Sequence, residues 1–238
     1  MKDLTANRLA GALAVLWLPL LIIGFGLIVG FSPGISDPES ETVEFYATVG
    51  QERAWVGEAI EATSFLCLLA FVARVASVAR RTSSVADWFG TLAVALAAAS
   101  AAIAAAGIAP LVALARSGAA AELPPSVVVL FNNLRIGLHW LDMLVFGIMF
   151  VVLGALLLQA RMLPRWLAWA AIVLGLVQFA SVVGLLFEVA DTVSLLLGLW
   201  AIITGVLIII RPSALMSEDS VHRPSLTHTS ADKPNHPL

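Results

Sequence analysis

"LRIGLHWLDMLVFGIMFVVLGALLLQ", residues 134–159, decides how the chain is read. As a helix, about 20 apolar residues cross the hydrocarbon of a bilayer, and this run is longer. Three ionisable side chains interrupt it near its start. Arg135, His139 and Asp142 are spaced by four and then three, so one helix face carries all three, with Phe146 next in line. The stretch therefore predicts a membrane span and sets a question about function. A base, an imidazole and an acid form one stripe inside an apolar helix.

Five more stretches have the same character. With the first, they predict spans at about 9–30, 55–78, 88–113, 134–159, 166–187 and 193–210. The composition agrees: 60% of the 238 residues are hydrophobic and 12% charged, with a mean hydropathy of +0.97. Soluble domains are about half apolar and a quarter charged. The expected fold is all-α, a polytopic bundle of six transmembrane helices over residues 1–211. The first run is too long for the core of a cleaved leader and no small-x-small site follows it, so it reads as the first span. "FSPGISDPES", "RSGAAAELPPS" and "RMLPR" supply breakers between spans, and Pro164 suits the start of the fifth. From Pro212 the chain turns polar and rich in Ser, Pro and His, so 212–238 is expected to be a disordered cytoplasmic tail. Its His222, His228 and His236 are too loosely spaced to bind a metal.

The 13 basic residues divide ten to three between the two sides of such a bundle. Lys2, Arg8, Arg74, Arg80, Arg81, Arg161, Arg165, Arg211, Arg223 and Lys233 fall on one side; Arg53, Arg116 and Arg135 fall on the other. Basic loops stay in the cytoplasm, so both termini are expected there, in a bacterial inner membrane. Trp88, Trp166 and Trp169 would mark the inner boundary and Trp55 the outer one. In the long outer loop, Ser36 and Glu39 look like a capping pair for a short interfacial helix, with Phe45, Tyr46 and Val49 against the membrane surface. The alanine-rich third span is expected to pack centrally, since small side chains allow close backbone approach. Gly26 and Gly30 of the first span are read as intramolecular packing.

Several function classes lack support. A formal charge of −3 without a long basic block does not suit nucleic acid. The single cysteine, Cys67, cannot form an internal disulfide and reads as a buried structural thiol. No P-loop, GxSxG, HExxH or CxxC motif occurs.

The second span opens "WVGEAIEATSF", residues 55–65, and places Glu58 and Glu61 at the depth of the Arg–His–Asp stripe. Charges inside a span are costly and usually face the bundle interior. Three carboxyls against one arginine and one histidine leave a net negative charge, so the count predicts at least one protonated carboxyl at neutral pH. The candidate catalytic residues are Glu58, Glu61, His139 and Asp142. Arg135 is a candidate for holding an anionic head group, and Trp55, Trp140 and Phe146 for lining a substrate pocket. Four readings stay open at this stage. The cluster is interhelical glue, with Arg135 on Glu58 or Glu61 and His139 on Asp142. It is a metal site, for which one histidine is thin, so no metal or other cofactor is assigned. It performs acid catalysis on a lipid or isoprenoid, with aromatic faces stabilising a cation. Or it is a proton relay in a small-molecule transporter, which at six helices would need to form a homo-oligomer. The expected partners are the lipid bilayer and a hydrophobic small molecule.

Two longer stretches carry a family resemblance: "DPESETVEFYATVGQERAWVGEAIEATSFLCLLAF" (37–71) and "GALLLQARMLPRWLAWAAIVLGLVQF" (154–179). They resemble an uncharacterised family of small bacterial six-helix integral membrane proteins, over most of residues 9–210. The resemblance implies a fold and no activity, and it assigns no role to Glu58, Glu61 or Asp142. Small integral-membrane terpene cyclases, which also use intramembrane acids and aromatics, are similar in chemistry alone.

Overall fold

The computed structural model describes residues 2–30, 33–116 and 119–215. Most of the expected tail, 216–238, and its three histidines lie outside these residues. Helix α1 (Lys2–Leu21) continues into a π-helical segment (Ile22–Val29). There follow α2 (Glu39–Val49), α3 (Gln51–Ala79), α4 (Ser84–Ala115), a single turn α5 (Ala119–Glu122), α6 (Pro125–Ala160), α7 (Arg165–Val183) and α8 (Phe187–Ile210). A 3-10 turn, Pro212–Leu215, ends the described chain. Six helices are long and apolar enough to cross a membrane: α1 running into the π-helical segment, α3, α4, α6, α7 and α8. No strand occurs among the described residues.

Each of the six packs on its neighbours in chain order, and α8 closes back onto α1. The bundle is a ring of alternating direction. One end carries Arg74, Arg80, Arg161, Arg165 and Arg211, and is called the basic end here; the other, with α2 over it, is the acidic end. Glycines set two of the tightest contacts. A Cβ on Gly205 of α8 would lie 2.5 Å from the Gly11 carbonyl oxygen of α1, and one on Gly154 of α6 would lie 2.6 Å from the Ala168 oxygen of α7. These backbones touch because nothing stands between them.

Side chains fill the ring in its basic half. Phe71, Phe150, Leu153, Leu157, Leu167 and Trp200 form one buried cluster. The Trp200 indole donates to the Leu167 carbonyl at 2.8 Å, so its polar edge is satisfied. At the basic surface, Arg74 bonds Asn7 Oδ1 and Asp3, and Asn7 Nδ2 donates to the Pro212 carbonyl, tying the 3-10 turn to α1.

Several expectations need correction. The alanine-rich α4 is not central: 17% of its apolar window is buried, against 61% for α6. Small side chains let α4 approach α3 and α6 closely, yet they cover little area, and its outer face stays bare. Gly26 and Gly30 are not contact points, since a Cβ at either would meet nothing within 4 Å. Ser36 caps nothing; Pro38 occupies the N-cap of α2, and the nearby loop bond runs from Gly34 N–H to Asp37 Oδ2. Tyr46 and Val49 do not lie on the membrane surface. Both are buried against Leu111, Leu114 and Val128, making α2 a cap on the acidic end. The quoted span begins at Pro125 rather than 134. The fifth span ends at Val183, and the sixth begins at Phe187 rather than 193. Their link, Gly184–Leu186, is apolar and tight, with Leu185 at φ 57° and Leu186 N–H bonded to the Ser181 carbonyl.

Candidate functional site

Above the filled half, the ring encloses an open cavity of about 630 Å³. It reaches from Trp17 of α1 and Phe146 of α6 up to Pro33 and Gly34 in the loop before α2. Five of the six spans line it, α7 being the exception. Asn132 of α6 holds its upper edge. Its Oδ1 accepts from the Tyr46 hydroxyl at 2.8 Å, and its Nδ2 donates to the Pro33 carbonyl at 3.0 Å. Tyr46 belongs to the capping helix and is 1% exposed. Burial pushes its phenol up to about 12, so the hydroxyl stays a donor.

The sequence places an ionisable stripe on α6, and the fold turns that stripe inward. Arg135, His139, Asp142 and Phe146 all line the cavity. Because α6 starts at Pro125, Asp142 lies about 25 Å along it at 1.5 Å per residue, near the helix centre and deeper than a start at 134 implies. From α3, Glu58, Glu61 and Phe65 face the same space. The two carboxyl groups lie one turn apart on the same face of α3. The spans that looked parallel and level in the sequence do meet: Arg135 Nη2 lies 3.8 Å from Glu58 Oε1, with Glu58 almost wholly buried. The guanidinium also sits over the Phe25 ring, 5.4 Å from its centroid, and the same ring stacks on His139.

The partners differ from those expected for His139 and Asp142, which do not pair with each other. Asp142 Oδ1 accepts from Ser100 Oγ of α4 at 2.5 Å. His139 Nε2 lies 3.8 Å from Asp191 Oδ1 of α8, where both side chains are about half exposed. Arg135 is engaged by Glu58 and so is a charge-pairing residue before it is a head-group site. Trp140 lines the cavity and stacks on Phe187 at 4.0 Å between centroids. Trp55 does not line it. It is 54% exposed and borders a separate shallow groove of α3 and α4 with Arg116. With Trp88, Trp166 and Trp169, also more than half exposed, it points outward, as indoles do at a membrane boundary.

Sequence reasoning missed Ser100, Asp191, Trp17 and Phe25. Ser100 is a hydroxyl within an alanine run, and that isolation was its signal. A last span starting at 193 leaves Asp191 in a loop, whereas α8 begins at Phe187 and carries it inside the helix. Trp17 and Phe25 lie eight apart on the first span, a helical spacing that puts both on the cavity side.

Four polar atoms of this lining are buried without a hydrogen-bond partner: Glu58 Oε1, Glu61 Oε2, Trp17 Nε1 and Trp140 Nε1. Buried polar groups are nearly always satisfied, so these four atoms give this one lining hydrogen-bonding capacity that the protein's own side chains do not fill. Among the described residues, no three His, Cys, Asp or Glu are grouped to hold a metal ion.

A family model described as a domain of unknown function, DUF4386, matches residues 9–211, which spans all six membrane helices. No curated protein and no solved structure matches the chain.

Proposed function

This chain belongs to the DUF4386 family, whose description gives no reaction, and from the cavity's own chemistry we propose an intramembrane acid–base enzyme acting on a lipid or isoprenoid. One observation carries the reading. Carboxyl groups with unfilled hydrogen-bonding capacity face an apolar, aromatic-walled cavity sized for a small lipophilic molecule. An acid in an apolar site can protonate an alkene; aromatic faces stabilise the cation that forms, and the carboxylate left behind takes a proton back as the cation collapses to the rearranged alkene. Glu61 and Asp142 are the proton donors in this proposal. His139, at the wetter rim with Asp191, exchanges protons with solvent. Glu58, held by Arg135, sets the charge of the donor pair. The membrane is a bacterial inner membrane and the basic end is cytoplasmic, as the arginine bias supports.

Asp142→Asn and Glu61→Gln tests this in the native host. With protein level in the membrane unchanged, lipid extracts analysed by mass spectrometry should lose a hydrophobic product and gain its precursor, with turnover down at least 100-fold. Matching extracts overturn catalysis. A proton-coupled transporter is the second reading, favoured because the cavity opens in one half of the bundle while the other is filled. It predicts unchanged extracts together with uptake that collapses when the pH gradient is removed.

A further inference from the structure

We infer that the cavity binds a cationic amphiphile, an organic ammonium group on an apolar chain, with the ammonium at the Glu58–Glu61 layer. The inference rests on the reading of the cavity as a ligand site and names what it holds there. Four carboxyl groups line the space, from Glu58, Glu61, Asp142 and Asp191, against Arg135 and His139. Arg135 is already paired with Glu58, so carboxyl groups remain in excess of basic ones, and a neutral amine arriving at this layer takes up the Glu61 proton to become the ammonium partner of the carboxylate it leaves. Glu58 is 2% exposed and its Oε1 accepts no hydrogen bond; Glu61 Oε2 also accepts none. An ammonium N–H can donate to these oxygens, as a carboxylate or an ionised phosphate oxygen cannot. Trp17, Phe25, Phe65, Trp140 and Phe146 line the same cavity, and Phe25 already carries the Arg135 guanidinium at 5.4 Å from its centroid, an aromatic surface of the kind that attracts a desolvated cation.

The shape of the opening fits a molecule arriving from the bilayer. Ile22 of the π-helical segment and Leu195 of α8 line the cavity and are also exposed, at 44% and 55%. The π-helical segment packs on α3 and has little or no contact with α8. A Cβ on its Gly24 would lie 2.6 Å from the Gly57 carbonyl oxygen. The seam between first and last spans, closed at Gly11 and Gly205, is thereby open in the acidic half. An apolar chain can lie in that seam with its head inside.

The purified full chain in phosphatidylcholine nanodiscs provides the test, read by tryptophan fluorescence, since Trp17 and Trp140 line the site. The probes are N,N-dimethyldodecylamine, 1-dodecanol and dodecanoate, with empty nanodiscs correcting for partition. The amine should bind at least tenfold tighter than either other probe, and Glu61→Gln should lose at least tenfold of that affinity. Gly26→Leu is a second variant that leaves every charge in place. Its side chain grows into open space at the cavity wall and should block all three probes while the unfolding temperature stays unchanged. Equal or tighter binding of the alcohol or the carboxylate overturns the inference, as does amine binding untouched by both variants. Because binding is measured without turnover, selective amine binding beside unchanged lipid extracts would sink the enzyme and leave this inference standing. The reverse pattern would do the opposite.

Discussion

The two halves of the ring are built from the same six helices and the same class of residues, yet one is filled and the other is hollow. In the basic half, large side chains meet across the centre, and glycine contacts draw α1 to α8 and α6 to α7. In the acidic half, the first span departs from α-helical geometry at Ile22, and α2 covers the end without filling the interior. Close packing and the ionisable lining are thus segregated along the membrane normal. The filled half holds the helices together, so the hollow half can carry unsatisfied carboxyl groups that a tightly packed bundle would exclude.

That division can be broken most severely at the glycine seam. Gly205→Leu drives a side chain into the Gly11 backbone and should cost more than about 3 kcal/mol, the upper end for overpacking. It should be seen as loss of a monodisperse peak in detergent gel filtration. Truncation of a phenylalanine in each half sharpens the contrast. Phe150→Ala, wholly enclosed, should cost about 3–5 kcal/mol, whereas Phe65→Ala, with one side on the cavity, already lacks part of its contacts and should cost less than half as much. Equal unfolding temperatures for the two variants would mean the cavity is filled in the working protein.

The cap reports separately, through pH. Tyr46 is the only tyrosine, so the phenolate absorbance reports it alone. Its folded value of about 12 lies above the ordinary 10. Between those values the folded chain holds a proton that the unfolded chain has released. Stability from this group is therefore complete below pH 10 and falls as pH rises toward 12, by roughly 2–3 kcal/mol at 1.4 kcal/mol per unit. An absorbance midpoint at 10 in the folded protein would place the ring in water and detach α2 from the bundle.

The six spans were legible because a bilayer demands a long apolar run, and that demand is written in composition alone. Ends were less so. Leu185 and Leu186 make a turn from residues that read as span, because three backbone hydrogen bonds close it without any polar side chain. The inward direction of Arg135, His139, Asp142 and Phe146 followed from spacing. Their partners did not, since which helix stands opposite is a property of ring closure. Asp191 reaches His139 from a helix some fifty residues on, and Ser100 reaches Asp142 from a helix that composition made look featureless. Trp55 misled because depth says nothing about which side of a helix a ring occupies.

The lengths of α6 and α7 carry a last consequence. The two share the basic end through the turn at Arg161, but α6 has 36 residues and α7 has 19. At 1.5 Å per residue they measure about 54 and 28 Å, so the wall at α7 ends some 25 Å below the top of its neighbour. A hydrocarbon layer of about 30 Å matches the short side and is overtopped by the long one. Such a lopsided belt tilts the bundle or thins the leaflet beside Leu185 and Leu186. A lipid on that side would find its head group lowered toward the level of the carboxyl groups before it has moved inward at all.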